Sequence, residues 1–227
     1  MYLAEAAPEE VAAARQLDAL RELVASYGRG QRVESLTVVG NAPLAPSAER
    51  AALIDDSDLV VRMTTFALDE PGAEPAYGRK TDVVVMHRGV LASPHTFADY
   101  TSRLYLLAEP GRLHWEPEII PDWWPADLGF VPIPNRPFVR PLGRLLGLDP
   151  DQPTWATTGT LVVYLAVRLF PGAKIGVTGF SIVDRPEQTT FAHAWGEDVH
   201  VTGDHRLHAE SALLRSWRDN GEIELIP

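Results

Sequence analysis

A histidine five residues ahead of a glutamate, His205 before Glu210, and a second histidine at His193 are the side chains of this chain best suited to moving a proton. An imidazole titrates near neutrality, so it can take a proton from a hydroxyl or donate to a developing anion. Each also has a plainer reading, His205 as a residue at a helix end and His193 as a loop histidine, and His208 is an alternative base to His205. Gly40-Asn41 closes a short apolar run and reads either as a simple turn, since both residues accept φ > 0, or as the edge of a nucleotide site. Arg62 lies inside another apolar run, where burial of its charge must be offset. It either pairs with Asp55, Asp56 or Asp58, or helps build a polar site at a strand end. Thr157-Thr158-Gly159 opens a long apolar segment, and the amides and hydroxyls of a helix start there can hold a phosphate or serve as an ordinary N-cap. Trp115, Trp123 and Trp124 either line a sugar pocket or fasten their region to the core.

Taken in order, these pieces resemble the motifs of the eukaryotic-type sialyltransferases, glycosyltransferase family 29, here in a short, bacterial-like form. The strand, Gly40-Asn41 turn, Ile54-Asp55 pair and Asp58-x-Val60-x-Arg62 segment are similar to the large sialylmotif, and Tyr77-Gly78-Arg79-Lys80-Thr81-Asp82 to its end. Thr157-Thr158-Gly159, an apolar helix and a strand ending in Gly179-Phe180 look like the small motif. His193-Ala194-Trp195 resembles the third motif, and His205 to Glu210 the very small one. The resemblance spans roughly residues 35 to 215. It implies a metal-independent, inverting transfer from a CMP-sugar, with His205 as general base, His193 donating to the donor phosphate, and Glu210 orienting its loop or capping a backbone donor. Gly40, Asn41, Arg62, Thr64, Thr157, Thr158, Gly159, Gly179 and Phe180 would then surround the CMP-sugar. Two positions depart from the pattern: Ala194 replaces the usual tyrosine and Thr64 the usual asparagine.

The elements that must position these residues alternate. Helical spacing marks 8–26, stopped by Tyr27-Gly28-Arg29-Gly30, then 48–54, and an amphipathic 205–220. Short apolar runs mark strands at 35–39, 58–64, 82–86, 104–107 and 173–178, with a possible edge strand at 223–226. The segment 157–170 is apolar nearly all round, hence a buried helix. The expected fold is α/β, one doubly wound, mostly parallel sheet of Rossmann-like, GT-A-variant type, with its ligand crevice at the strand C-termini. One domain over 1–227 is expected, with 109–153, crowded with Pro, Trp and Arg, as an irregular insertion that forms a possible acceptor region.

At 227 residues and 45% hydrophobic the chain can bury one sizeable core. A net charge of -11 opposes binding to nucleic acid. An anionic sugar nucleotide remains compatible if local donors dominate, the candidates being Arg62, Arg79, Lys80, His193 and helix amides. No apolar run approaches the ~20 residues of a membrane helix, and with no cysteine a cytoplasmic location is expected. Asp55-Asp56-Ser57-Asp58 is read as a solvated turn. His200, His205 and His208 lack the company of a zinc motif, so neither metal nor cofactor is expected. The expected partners are a CMP-activated sugar, sialic acid or possibly Kdo, and a glycan or other hydroxyl acceptor. The alternatives are a noncatalytic cytidine-nucleotide-binding protein and a nucleoside-processing enzyme on the same scaffold.

Overall fold

The computed structural model describes residues 8–30, 32–87, 92–108, 125–149, 151–152, 154–196 and 198–227. Seven parallel strands form one sheet, in the order β5-β4-β3-β2-β1-β6-β9. They are β1 (Ser35–Val39), β2 (Leu59–Met63), β3 (Val83–His87), β4 (Leu104–Ala108), β5 (Val131–Pro132), β6 (Lys174–Thr178) and β9 (Glu224–Leu225). The central strands are short apolar runs because both of their faces are covered. On one face Leu36, Val38, Leu59, Val61, Val83 and Val85 join the main core. On the other, Val84, Met86, Tyr105 and Leu107 pack with Phe66 and Phe97, while Val39 and Val60 meet Ile54. Successive residues thus feed opposite layers, as the two-residue repeat of a strand demands.

Among the described residues five α-helices flank the sheet: α1 (Pro8–Ala25), α2 (Ala48–Asp56), α3 (Arg140–Leu145), α4 (Thr158–Leu169) and α5 (Leu207–Asp219). α4 is the buried one, with eight buried residues from Thr160 to Leu169. α5 turns Leu207, Leu214 and Trp217 inward and leaves its other face to solvent, the amphipathic pattern of a covering helix. A short antiparallel hairpin, β7 (Thr190–Ala192) with β8 (Asp198–His200), stands apart from the sheet. No helix among the described residues is long and apolar enough to cross a membrane.

Two sequence readings change here. The expected irregularity of 109–153 gives way over its later part, which supplies edge strand β5, a π turn at Asn135–Val139 and α3. Phe138 and Leu142 anchor that stretch in the core, and Pro-rich sequence hid their spacing. The acidic turn at 55–58 is no free solvated loop either. Asp55 Oδ1 accepts from the amides of Arg79 and Lys80 at 2.7 and 2.8 Å, and Asp58 Oδ2 from those of Glu34 and Ser35 at 2.9 Å each. Backbone donors at strand entries need acceptors, and these carboxylates supply them.

From β1 the chain order runs outward in both directions, to β2 on one side and to β6 on the other. Neighbouring loops therefore leave in opposite directions at the C-terminal ends of β1 and β6, which opens a crevice. Gly40 and Gly179 sit there back to back. The Gly40 amide donates to Thr178 O at 2.8 Å, Ala42 N to Gly179 O at 3.1 Å, and a Cβ on Gly40 would overlap the Gly179 carbonyl oxygen. Gly179 also takes φ +74°, which a side chain would resist.

Candidate active site

The crevice holds a cavity of about 460 Å³. Every surrounding element supplies part of its wall. Gly40 and Asn41 come from the turn after β1, Thr64 from the end of β2, and Gly179 and Phe180 from the end of β6. Thr157, Thr158 and Gly159 come from the start of α4, His193 from the β7–β8 turn, and His205 from the approach to α5. Residues scattered over 165 positions of sequence thus meet in one place, because a parallel sheet delivers each strand's C-terminal end to the same edge.

His205 is held by a two-way latch to Trp155. Trp155 N donates to Asp204 O at 3.1 Å, and His205 Nδ1 lies 3.1 Å from Trp155 O. A carbonyl only accepts, so this bond puts the proton on Nδ1 and leaves the lone pair on Nε2. The half-buried ring borders the cavity. Glu210, fully buried, does not border it. Its Oε2 accepts from Thr157 N at 3.0 Å, Thr157 Oγ1 at 2.6 Å and Thr160 Oγ1 at 2.6 Å. The carboxylate therefore pins the first turn of α4 to α5, and the Thr157 and Thr160 hydroxyls are committed to it. Among the described residues the amides of Thr158 and Gly159 carry no hydrogen bond, which leaves two helix-start donors at the cavity wall. Gly159 is small because Phe180 lies against it: an added Cβ would come within 2.8 Å of the ring.

Asn41 Nδ2 donates to Met63 O at 3.0 Å and to Thr64 Oγ1 at 2.8 Å, which fixes the amide and leaves Oδ1 buried without a partner. Asn41 O accepts from Ala194 N at 2.7 Å, fastening the hairpin to the β1 turn. Thr64 is left-handed at φ 47°, a conformation that a β-branched residue adopts only under constraint. Its amide donates to Val85 O at 3.0 Å and its carbonyl accepts from Thr96 Oγ1 at 3.0 Å. Those bonds hold it there. His193 Nδ1 lies 3.4 Å from Thr65 Oγ1.

Arg62 takes a different place from the one expected. It is fully buried and away from the cavity wall: Nε donates to Lys80 O and Thr81 Oγ1 at 3.0 Å, and Nη2 to Tyr77 O at 2.7 Å. The guanidinium also stands 5.7 Å from the Phe66 ring centroid. Burial pushes its pKa down to about 9, against the pull of Asp55. Its partners are the Tyr77 and Lys80 carbonyls and the Thr81 hydroxyl, with the Ala67 carbonyl 3.5 Å from Nη1, rather than an acid or a ligand. Lys80 is likewise turned inward, to Ser57 O at 2.5 Å and Asp58 O at 2.8 Å, and neither it nor Arg79 lines the cavity. Trp115, Trp123 and Trp124 lie outside the described residues.

Sequence reasoning missed His87 at the end of β3, Trp155, and the hairpin residues Phe191, Val199 and His200, which also line the cavity. The period of a three-residue strand is too short to see. His87 carried a signal, being the residue that ends an apolar strand at the sheet's functional edge. Among the described residues the wall holds four histidines, 87, 193, 200 and 205, and no lysine or arginine.

No protein-family model matches the chain, and no curated protein matches it in sequence. Solved structures do share its fold. A mammalian sialyltransferase crystal structure superposes with a TM-score of 0.53 at 18% identity, covering 99% of this chain and 81% of that one. A mammalian sialyltransferase in complex with Gal-beta-1-3GalNAc-ortho-nitrophenol gives 0.51 at 18% identity, over 95% and 78%. The seven-stranded α/β architecture is therefore the one found in those sialyltransferases.

Proposed function

We propose that this protein is a glycosyltransferase that moves a sialic acid or related keto sugar such as Kdo from its CMP-activated form to a hydroxyl acceptor, with inversion. The observation that carries this reading is the His205 latch, which presents an imidazole of defined tautomer at the wall of a crevice that also offers the α4 amides. In the reaction His205 Nε2 takes the acceptor's hydroxyl proton as that oxygen forms a bond to the anomeric carbon. The bond from that carbon to the phosphate oxygen breaks, and CMP leaves with the electron pair. The Thr158 and Gly159 amides and His193 meet the charge on the departing phosphate. No step calls for a metal. Glu210 acts as a positioning residue, setting α4 and α5 against each other. The fold likeness to sialyltransferases and the ordered motifs support the same donor class.

Calorimetric titration with CMP, CDP, UMP and AMP tests it. CMP should bind, and removing His193 in His193→Ala should weaken it. Absence of cytidine nucleotide binding at millimolar concentration, or equal affinity for all four, contradicts the assignment.

A further inference from the structure

We propose that Trp195, with Glu70 near its ring neighbour His95, is the platform on which a pyranose ring of the acceptor glycan lies. The inference rests on the glycosyl-transfer reading and adds to it a place for the second substrate. Trp195 sits in the tight turn of the β7–β8 hairpin, where Gly196 N donates to His193 O at 2.9 Å. The preceding amide, Ala194 N, is tied to Asn41 O at 2.7 Å, so the turn is fixed to the cavity wall and not free to swing. Yet the indole itself remains 45% exposed.

Its one ring contact among the described residues is edge-on: the His95 ring lies 5.4 Å away at an interplanar angle of 89°. An edge contact orients an indole without covering both of its faces. Trp195 and His95 do not themselves line the cavity but adjoin residues that do. His193, two residues before Trp195, is in the wall, and Thr96, next to His95, donates to the carbonyl of the wall residue Thr64 at 3.0 Å.

The chemistry around the ring suits a sugar. An exposed aromatic face packs against the C-H face of a pyranose, and a nearby carboxylate accepts from its hydroxyls. Glu70 supplies that carboxylate: its side chain is 66% exposed, and Oε1 stands 3.6 Å from His95 Nε2, beyond hydrogen-bond length. Burial lowers the His95 pKa, against the pull of Glu70, which favours the uncharged imidazole beside that carboxylate. A protein or lipid partner would call for a wider apolar surface. The other exposed large apolar side chains among the described residues, Val11, Leu53 and Leu145, belong to α1, α2 and α3. A single exposed ring, with a carboxylate near the histidine that orients it, matches a single sugar.

The test labels the protein with 5-fluorotryptophan and assigns the Trp195 resonance by its loss in Trp195→Phe. Neutral disaccharides, Gal-beta-1-3GalNAc and lactose among them, are titrated without nucleotide, and CMP affinity is measured in parallel. The platform predicts that a disaccharide shifts the Trp195 resonance. Its affinity should fall about tenfold in Trp195→Ala and less in Trp195→Phe, the scale of losing an aromatic anchor, and Glu70→Gln should weaken it by a smaller factor. CMP affinity should stay within about twofold in all three, since none touches the nucleotide. No shift with any disaccharide, or equal glycan affinity in Trp195→Ala, overturns the platform. The two readings fail separately. A Trp195 shift in a protein that turns over no CMP-sugar keeps the platform and removes the transfer, whereas transfer with an unchanged acceptor KM in Trp195→Ala removes the platform alone.

Discussion

Arg62 shows how a residue of the right type in the right motif can serve the fold instead of the substrate. Its planar fork satisfies two carbonyls and a hydroxyl of the loop entering β3, and lysine cannot reproduce that geometry. Arg62→Lys should therefore lower unfolding free energy by about 2 kcal/mol, the scale of buried acceptors left unpaired, with CMP affinity unchanged. Urea denaturation beside calorimetry checks both halves. Thr64 is the opposite case, a departure from the motif that the sequence resembles, and it carries a backbone cost visible in its φ of 47°. Asparagine tolerates that region and keeps an oxygen for Asn41 Nδ2. Thr64→Asn should raise stability by about 1 kcal/mol, read as a higher urea midpoint. The arginine's presence in a strand was legible from its neighbours. Its partners on the 77–81 loop were not, because they lie 15 to 19 residues away on a segment without periodicity.

Strands and helices were the legible layer wherever an apolar run exceeded four residues. β1, β2, β3, β4 and β6 fall within a residue or so of the expected spans, and α4 follows from being apolar all round. The β7–β8 hairpin was invisible because three-residue strands carry no usable alternation, and β5 because two residues carry none. Joints between elements were hidden for a different reason: a carboxylate that caps backbone amides looks like any surface acid. Asp58 is such a joint. Amides of Ser35 and then Glu34 hold its carboxyl below the usual carboxylate range, with its own burial acting the other way. A carboxyl whose folded-state pKa is depressed adds stability that is complete above the unfolded value of about 4 and disappears as pH falls through the folded one. Asp58→Asn should therefore lower the urea midpoint at pH 7, and the gap from the wild type should close as pH falls below about 4. A gap that stays constant with pH would mean that the carboxylate's charge contributes nothing.

At the scale of the molecule, the proposed reaction would bring a dianionic nucleotide to an acidic chain of net charge -11, and the described part of its cavity wall offers helix amides and histidines instead of lysine or arginine. Long-range repulsion is screened by salt, whereas short contacts inside the crevice are screened far less. CMP affinity should accordingly hold or rise between 20 mM and 200 mM salt. A steep fall, as seen when fixed surface cations do the binding, would contradict this picture. The location of the cavity followed from sheet logic, since alternating elements imply a switch point and Gly40 and Gly179 mark its two lips. What sequence could not convey was which charges reach that point, because Arg62 and Lys80 turn inward only once the 77–81 loop is folded over them. The most direct test of the whole account is CMP release from CMP-sialic acid and CMP-Kdo over a panel of glycan acceptors, comparing the wild type with His205→Ala. The account predicts acceptor-dependent release by the wild type and a loss of roughly a hundred- to ten-thousand-fold in His205→Ala, with CMP affinity nearly intact. Wild-type turnover by His205→Ala, or no release by the wild type from either donor with any acceptor, would contradict it.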